Sequence, residues 1–164
     1  MSDISISVHL SLLGILPLIL FAVWSVFLVL LIGAWRVGEV IGGKAAPNAF
    51  PAGIKHGSEM YWRLNRAHLN ALENLPIFGA LVLSGVALNV DSPSFATAAA
   101  VVFLARVVQS LIHISSGSVL AINLRFAAYA VQLVSFLVMA YTCLEMIGFN
   151  HIVEGFTLAL LGPK

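Results

Sequence analysis

Four long apolar stretches dominate this sequence, and each approaches the roughly 20 residues that an α-helix needs to cross the hydrocarbon core of a bilayer. They cover approximately residues 10–41, 59–89, 95–114 and 119–147. The chain is 60% hydrophobic and only 9% charged, whereas a soluble domain carries about 25% charged residues. The sequence therefore predicts an all-α integral membrane protein, a four-helix bundle that forms one membrane domain over residues 1–164.

The two ends of the chain and its single cysteine bear on processing and metal binding. The N-terminal segment lacks a basic region and an Ala-x-Ala cleavage site, so we expect a retained first helix rather than a signal peptide. The apolar tail, residues 148–164, predicts a short interfacial helix. Cys143 alone cannot form an internal disulfide or a cysteine cluster for a metal. We interpret it as a small buried residue and predict no metal site.

The distribution of charge predicts the orientation. Asp91 is the charged residue of the second loop, whereas basic residues surround the first loop. Cytoplasmic loops carry an excess of Lys and Arg, so we expect the first loop in the cytoplasm and both termini on the opposite side. A net charge of +1 without a basic stripe argues against nucleic acid as a partner. The basic residues around the first loop are Arg36, Lys44, Lys55, Arg63 and Arg66.

The second span carries a polar face at its N-terminal end. At about 100° per residue, its polar side chains fall within an arc of roughly 100°, with His68 on the opposite side. Such groups are costly in lipid and normally face a bundle interior or a wet cavity. The alternative is a salt-bridge network at a helix end, combined with anchoring at the cytoplasmic surface. The residues of this face are Arg63, Arg66, Asn70, Glu73 and Asn74.

The third and fourth spans each carry a similar face. Arg106 lies mid-span, too deep to reach either interface easily, and Glu73 is its predicted partner. The alternatives are a structural role for that pair, an interfacial role for His113, and a plain cytoplasmic anchor for Arg125. The polar residues that share a face are Arg106, Gln109 and His113 on the third span, and Arg125, Tyr129 and Gln132 on the fourth.

These faces converge on the cytoplasmic half of the bundle. Arginine suits bidentate binding of carboxylates, so the pattern favours a small polyanionic ligand over a cation or a hydrophobe. The surrounding apolar walls suit a lipophilic second substrate that arrives from the bilayer. We therefore expect a membrane protein that brings an anionic cofactor and a lipophile together.

The chain resembles the MAPEG family, membrane-associated proteins in eicosanoid and glutathione metabolism. The resemblance implies a four-helix protomer that assembles as a homotrimer, with glutathione bound between neighbouring subunits at the cytoplasmic side. It covers nearly the whole chain in length and span order. The residues that carry it are Arg63-x-x-Arg66-Ala-His68-x-Asn70-x-x-Glu73-Asn74-x-Pro76 on the second span, Arg106 on the third, and Arg125-x-x-x-Tyr129 on the fourth.

The resemblance also implies a function and a set of site residues. It implies a glutathione transferase or peroxidase in which Arg125 holds the thiolate. The alternatives are a non-catalytic protein of the same fold that binds lipid or glutathione, and a transporter with Arg106 and Glu73 as a gating pair. His113 stands where prostaglandin and leukotriene enzymes of the family often carry tyrosine, and Phe126 where the prostaglandin synthase carries serine. The residues expected to bind glutathione are Arg36, Arg66, Asn70, Glu73, Arg106, His113 and Tyr129.

Overall fold

The protein is a bundle of long helices that cross the membrane. Within the residues that the computed structural model describes there is no β-strand. The helices are long and apolar enough to span a bilayer, which confirms the predicted all-α, multi-pass membrane architecture. Their bounds are α1 (Ile15–Ile41), α2 (Glu59–Ala87), α3 (Pro93–Ser115) and α4 (Val119–Met146).

The structure describes residues 13–51, 53–148, 152–153, 156 and 159–160. Two sequence predictions therefore lie wholly or largely outside the described residues. These are the start of the first span at residues 10–12 and most of the interfacial helix in residues 148–164.

Serine side chains set the starts of α2, α3 and α4. The hydroxyl oxygens of Ser58, Ser92 and Ser118 each accept a hydrogen bond from the backbone N–H three residues later, at 3.1, 3.4 and 3.2 Å. Such a cap satisfies one of the N–H groups that the first turn leaves free. Pro93 occupies the first position of α3, where its missing N–H costs nothing. These helices therefore begin where local chemistry favours a start.

Successive helices are antiparallel, joined by a long first loop, residues 42–58, and by short connections at 88–92 and 116–118. The turn between α2 and α3 contains Asn89 with a φ of 52°, a left-handed conformation that asparagine tolerates. As a result, the C-termini of α1 and α3 and the N-termini of α2 and α4 share one end of the bundle, here named the first-loop end. Among the four helices, α1 packs against α2 and α3 but not against α4.

Aromatic packing holds the bundle together. The rings of Phe21 and Phe78 have centroids 5.5 Å apart, and Phe78 lies 6.2 Å from Phe136. Near the other end, Gly85 on α2 lies directly against the buried ring of Phe95 on α3. A side chain at Gly85 would overlap that ring, so the absence of one lets the two helices approach closely. This core fixes the relative rotation of the helices that carry the polar faces.

Candidate functional site

A cavity of about 630 Å³ opens at the first-loop end between α2, α3 and α4. No lining residue comes from α1 among the described residues. Because the three helices run antiparallel, the N-terminal halves of α2 and α4 meet the C-terminal half of α3 here. The predicted site residues that line it are Arg66, Asn70 and Glu73 from α2, Arg106 and His113 from α3, and Arg125 and Tyr129 from α4.

Arg36 lies outside this cavity. Its Nε donates a hydrogen bond to the hydroxyl oxygen of Tyr61 at 2.7 Å. Its guanidinium carbon lies 5.4 Å from the ring centroid of Phe50, in cation–π range. Arg36 therefore contributes no side chain to the cavity of its own protomer.

The cavity carries an excess of positive charge. Five cationic side chains line it against two carboxylates, Glu59 and Glu73. Glu59 at the rim is already ion-paired with Lys55, which lies in the first loop. The N-termini of α2 and α4 also lie at this end and add partial positive charge. The cationic side chains are Lys55, Arg63, Arg66, Arg106 and Arg125.

Arg106 is the most buried of these cations. It is 1% exposed, and its guanidinium carbon lies 5.6 Å from the ring centroid of Phe21 on α1. Its Nε and Nη2 atoms are buried without a hydrogen-bond partner among the described residues. Buried polar atoms are normally paired, so these two donors beside the cavity are an unmet hydrogen-bonding requirement of the ligand-free protein.

Arg106 and Glu73, the predicted partners, line the same cavity without forming a direct ion pair. Within the described part of the chain, the ion pairs closer than 4.0 Å are Lys44–Glu39 and Lys55–Glu59. Arg106 turns toward α1 and lies over Phe21, whereas Glu73 remains exposed at the cavity wall. Helical phase placed both side chains at the same cavity, but they do not approach closely enough for a direct ion pair.

Buried amides connect α3 to α4 beside the cavity. Gln109 Nε2 donates to the carbonyl oxygen of Arg125 at 3.2 Å. Gln132 Nε2 donates to Gln109 Oε1 at 3.2 Å and to the carbonyl oxygen of Ala128 at 3.1 Å. Both glutamines are buried. The network therefore fixes the backbone that carries Arg125.

Polar contacts also connect α2 to α3. Asn70 Nδ2 lies 3.5 Å from His113 Nδ1, and Arg63 Nε donates to the carbonyl oxygen of Ile114 at 3.0 Å. If the Asn70 amide donates, the proton of the neutral His113 ring is on Nε2. These contacts hold the α2 wall of the cavity against the end of α3.

Some lining residues were not predicted from the sequence. Trp62 and Phe126 line the cavity beside Arg63 and Arg125, but an aromatic residue in an apolar span carries no distinct signal. The Lys55–Glu59 pair has the i, i+4 spacing of a helix-surface ion pair. Lys55 precedes α2, however, so helical spacing could not have placed this pair at the rim.

Comparisons with known proteins agree with this architecture. A family model described as the MAPEG family matches residues 14–144, most of the chain. The matched region includes every residue named above as lining the cavity. A search of curated proteins finds no match.

Proposed function

The chain belongs to the MAPEG family of membrane-associated proteins in eicosanoid and glutathione metabolism, and we propose that it is a glutathione transferase or peroxidase acting on lipophilic electrophiles. In this proposal the cavity between α2, α3 and α4 is the glutathione site, and Arg125 is the catalytic residue. The observation that carries it is that Arg66, Arg106 and Arg125, from three different helices, line one cavity.

The chemistry of the cavity fits glutathione, which has two carboxylates, one ammonium group and a thiol. The free Nε and Nη2 donors of Arg106 suit a carboxylate, and Arg66 is an exposed guanidinium for the second. Glu73 is an exposed carboxylate outside the described ion pairs, and it suits the ammonium group. Asn70 and Tyr129 add hydrogen-bonding groups on opposite walls.

In this proposal the guanidinium of Arg125 binds the sulfur of glutathione. When bound, glutathione supplies a nucleophilic sulfur, but a free thiol has a pKa of about 8.5 and is only a few per cent thiolate at neutral pH. A guanidinium in a partly dry cavity favours the ionised form. Lowering the pKa by about two units needs roughly 2.7 kcal/mol. A hydrogen bond to a charged group contributes about 1.5–3 kcal/mol, so one guanidinium is sufficient.

The lipophilic partner would approach from the bilayer. Phe126 follows Arg125 on α4, lines the cavity and is 73% exposed. Its ring gives the cavity an apolar rim next to the catalytic guanidinium. This rim would hold a hydrophobic electrophile close to the sulfur and away from bulk water.

We also propose a homotrimer, with the first loop in the cytoplasm and both termini on the opposite side. In such a trimer Arg36, which does not reach the cavity of its own protomer, would line the cavity of a neighbouring subunit. Membrane lipids would cover the remaining apolar surface, which includes Leu30, Leu83 and Leu137, each more than 60% exposed in one protomer.

The test compares Arg125→Ala with Arg125→Lys in detergent-purified protein. The dissociation constant is measured by glutathione titration, the thiolate by its ultraviolet band, and the rate with a hydrophobic electrophile. Losing roughly 2.7 kcal/mol corresponds to a rate about 100-fold lower for Arg125→Ala, with glutathione affinity changed only a few-fold. Arg125→Lys keeps the charge and should retain more of the thiolate band.

Equal conjugation rates for the parent and Arg125→Ala would refute the catalytic role. Saturable glutathione binding with neither a thiolate band nor conjugation would instead support the alternative function. That alternative is a membrane protein of the same fold that binds glutathione or lipid without turnover.

A further inference from the structure

A second cavity lies at the first-loop end, apart from the glutathione site. It has a volume of about 270 Å³ and is enclosed by the end of α1, the first loop and the start of α2. Cavities for drug-sized ligands measure about 300–1,000 Å³, so this one suits a smaller group. Its aromatic wall consists of Trp35, Phe50, His56 and Tyr61.

The aromatic rings form one connected cluster. The Tyr61 ring has its centroid 5.3 Å from His56, 6.0 Å from Trp35 and 6.4 Å from Phe50. The rings are inclined to each other by 39–62°, so they surround a space rather than stack. Tyr61 is 1% exposed and its hydroxyl is held by Arg36, which fixes the central ring. Aromatic faces arranged in this way attract organic cations.

The polar groups of the cavity complement a positive charge. Glu39 lines it, and its carboxylate lies 3.9 Å from Lys44 Nζ, too far for a hydrogen bond. His56 Nδ1 lies 2.7 Å from the carbonyl oxygen of Ile54. Since a carbonyl can only accept, Nδ1 carries a proton, and Nε2 of the neutral ring is an acceptor. That Nε2 atom is buried without a partner.

Lys44 completes the arrangement with a charge of the opposite sign. Its side chain also lines the cavity and is 71% exposed, so the ammonium group lies beside Glu39 on the solvent-facing side. Glu39, with a side chain that is 33% exposed, and Lys44 thus present a negative and a positive charge side by side. This pattern is complementary to a zwitterion with an ammonium group followed by a phosphate.

We propose that this cavity binds the ammonium group of a zwitterionic phospholipid headgroup, with Glu39 and the aromatic rings around the ammonium and Lys44 on the phosphate. The location supports a lipid as the ligand, because the cavity lies at the ends of the spanning helices α1 and α2, and Trp and Tyr favour the membrane interface. The free His56 Nε2 suits an N–H donor, which ethanolamine has and choline lacks.

The experiment measures dissociation constants for phospholipids with identical short acyl chains by native mass spectrometry of the full-length protein in detergent. The probes are phosphatidylethanolamine, phosphatidylcholine and phosphatidylglycerol, which lacks an ammonium group. We expect the parent to bind the two ammonium lipids at least about tenfold more tightly than phosphatidylglycerol. Glu39→Gln should reduce this preference to within about twofold, without altering glutathione binding.

Glu145→Gln is the matched control, since Glu145 is an exposed carboxylate at the opposite end of the bundle. His56→Phe keeps an aromatic ring and removes Nε2, so it should weaken phosphatidylethanolamine more than phosphatidylcholine. A preference below twofold in the parent would overturn the proposal. So would a preference that survives Glu39→Gln or is lost equally in Glu145→Gln. Glycerophosphoethanolamine carries the same headgroup without acyl chains. If it displaces phosphatidylethanolamine with the affinity of the intact lipid, the proposal that the ligand is a membrane lipid is overturned.

Discussion

Replacing Arg106 with methionine should make the ligand-free protein more stable while it weakens glutathione binding. Arg106 is 1% exposed, and its Nε and Nη2 atoms have no hydrogen-bond partner among the described residues. Methionine keeps a flexible apolar chain of similar reach and removes the charge. Stability and binding should therefore change in opposite directions, which a purely structural arginine would not allow.

The magnitude follows from the two free donors. An unsatisfied buried polar group costs about 1–3 kcal/mol, so two of them cost roughly 2–6 kcal/mol. Arg106→Met also loses the cation–π contact with Phe21, which contributes about 0.5–2 kcal/mol. The two ranges combine to a net stabilisation of roughly 0–5.5 kcal/mol, with a midpoint of about 3 kcal/mol. In a chain of this size each kcal/mol moves the melting temperature by about 2–4 °C.

The assay is thermal unfolding in detergent, with and without glutathione. Without ligand the Arg106→Met protein should melt several degrees above the parent, and saturating glutathione should raise its melting temperature less. Arg63→Met is the matched control, because Arg63 Nε already donates to the carbonyl oxygen of Ile114 at 3.0 Å. Losing that satisfied bond should lower the melting temperature.

A ligand-free Arg106→Met protein that melts below the parent, with the full stabilisation by glutathione retained, would refute the reasoning. The guanidinium would then be paired in the folded protein by something other than the ligand. Its burial would be a feature of assembly or packing rather than of binding.

Two further predictions concern packing and the amide network. Gly85→Ala would place a Cβ against the Phe95 ring, with ring carbons at 2.7 and 2.8 Å, and should destabilise the protein by about 1–3 kcal/mol in denaturant unfolding. The control is Gly79→Ala on the same helix, which has a nearest contact of 3.9 Å and should be neutral or stabilising. Equal effects of the two substitutions on stability would contradict the predicted clash. Gln109→Leu should lower the conjugation rate and cost about 1–3 kcal/mol of stability by removing a partner of Gln132. The double variant with Gln132→Leu should lose less than the sum of the single variants, and strict additivity would show that the two amides act independently.

The cavity's α2 wall could be predicted from sequence because it depends on local geometry. Arg66, Asn70 and Glu73 share a face through the fixed rotation of about 100° per residue, whatever the rest of the chain does. Span length and hydropathy likewise determine that the helices cross a membrane. The convergence of α2, α3 and α4 at one end then follows from short antiparallel connections.

Contacts between helices could not be predicted in the same way. The expected Arg106–Glu73 pair required both the depth and the rotamer of a long side chain, and Arg106 turned over Phe21 instead. The second cavity was not foreseen either. Trp35, Phe50 and Tyr61 come from a helix, a loop and another helix, and their spacing in sequence carries no signal until the first loop is folded.

Within the described residues, α1 contributes no side chain to the larger cavity. This affects which parts of the sequence can change without altering the ligand-binding residues. Among the described residues, the cavity lining runs from Lys55 to Tyr129, so the groups that would contact a bound tripeptide within one protomer are encoded in one segment. The first helix supports that segment from behind, chiefly where Phe21 lies beneath Arg106. The lipid-facing surface of α1 can therefore drift while this ligand set is inherited intact, provided that Arg36 and the ring at position 21 are kept.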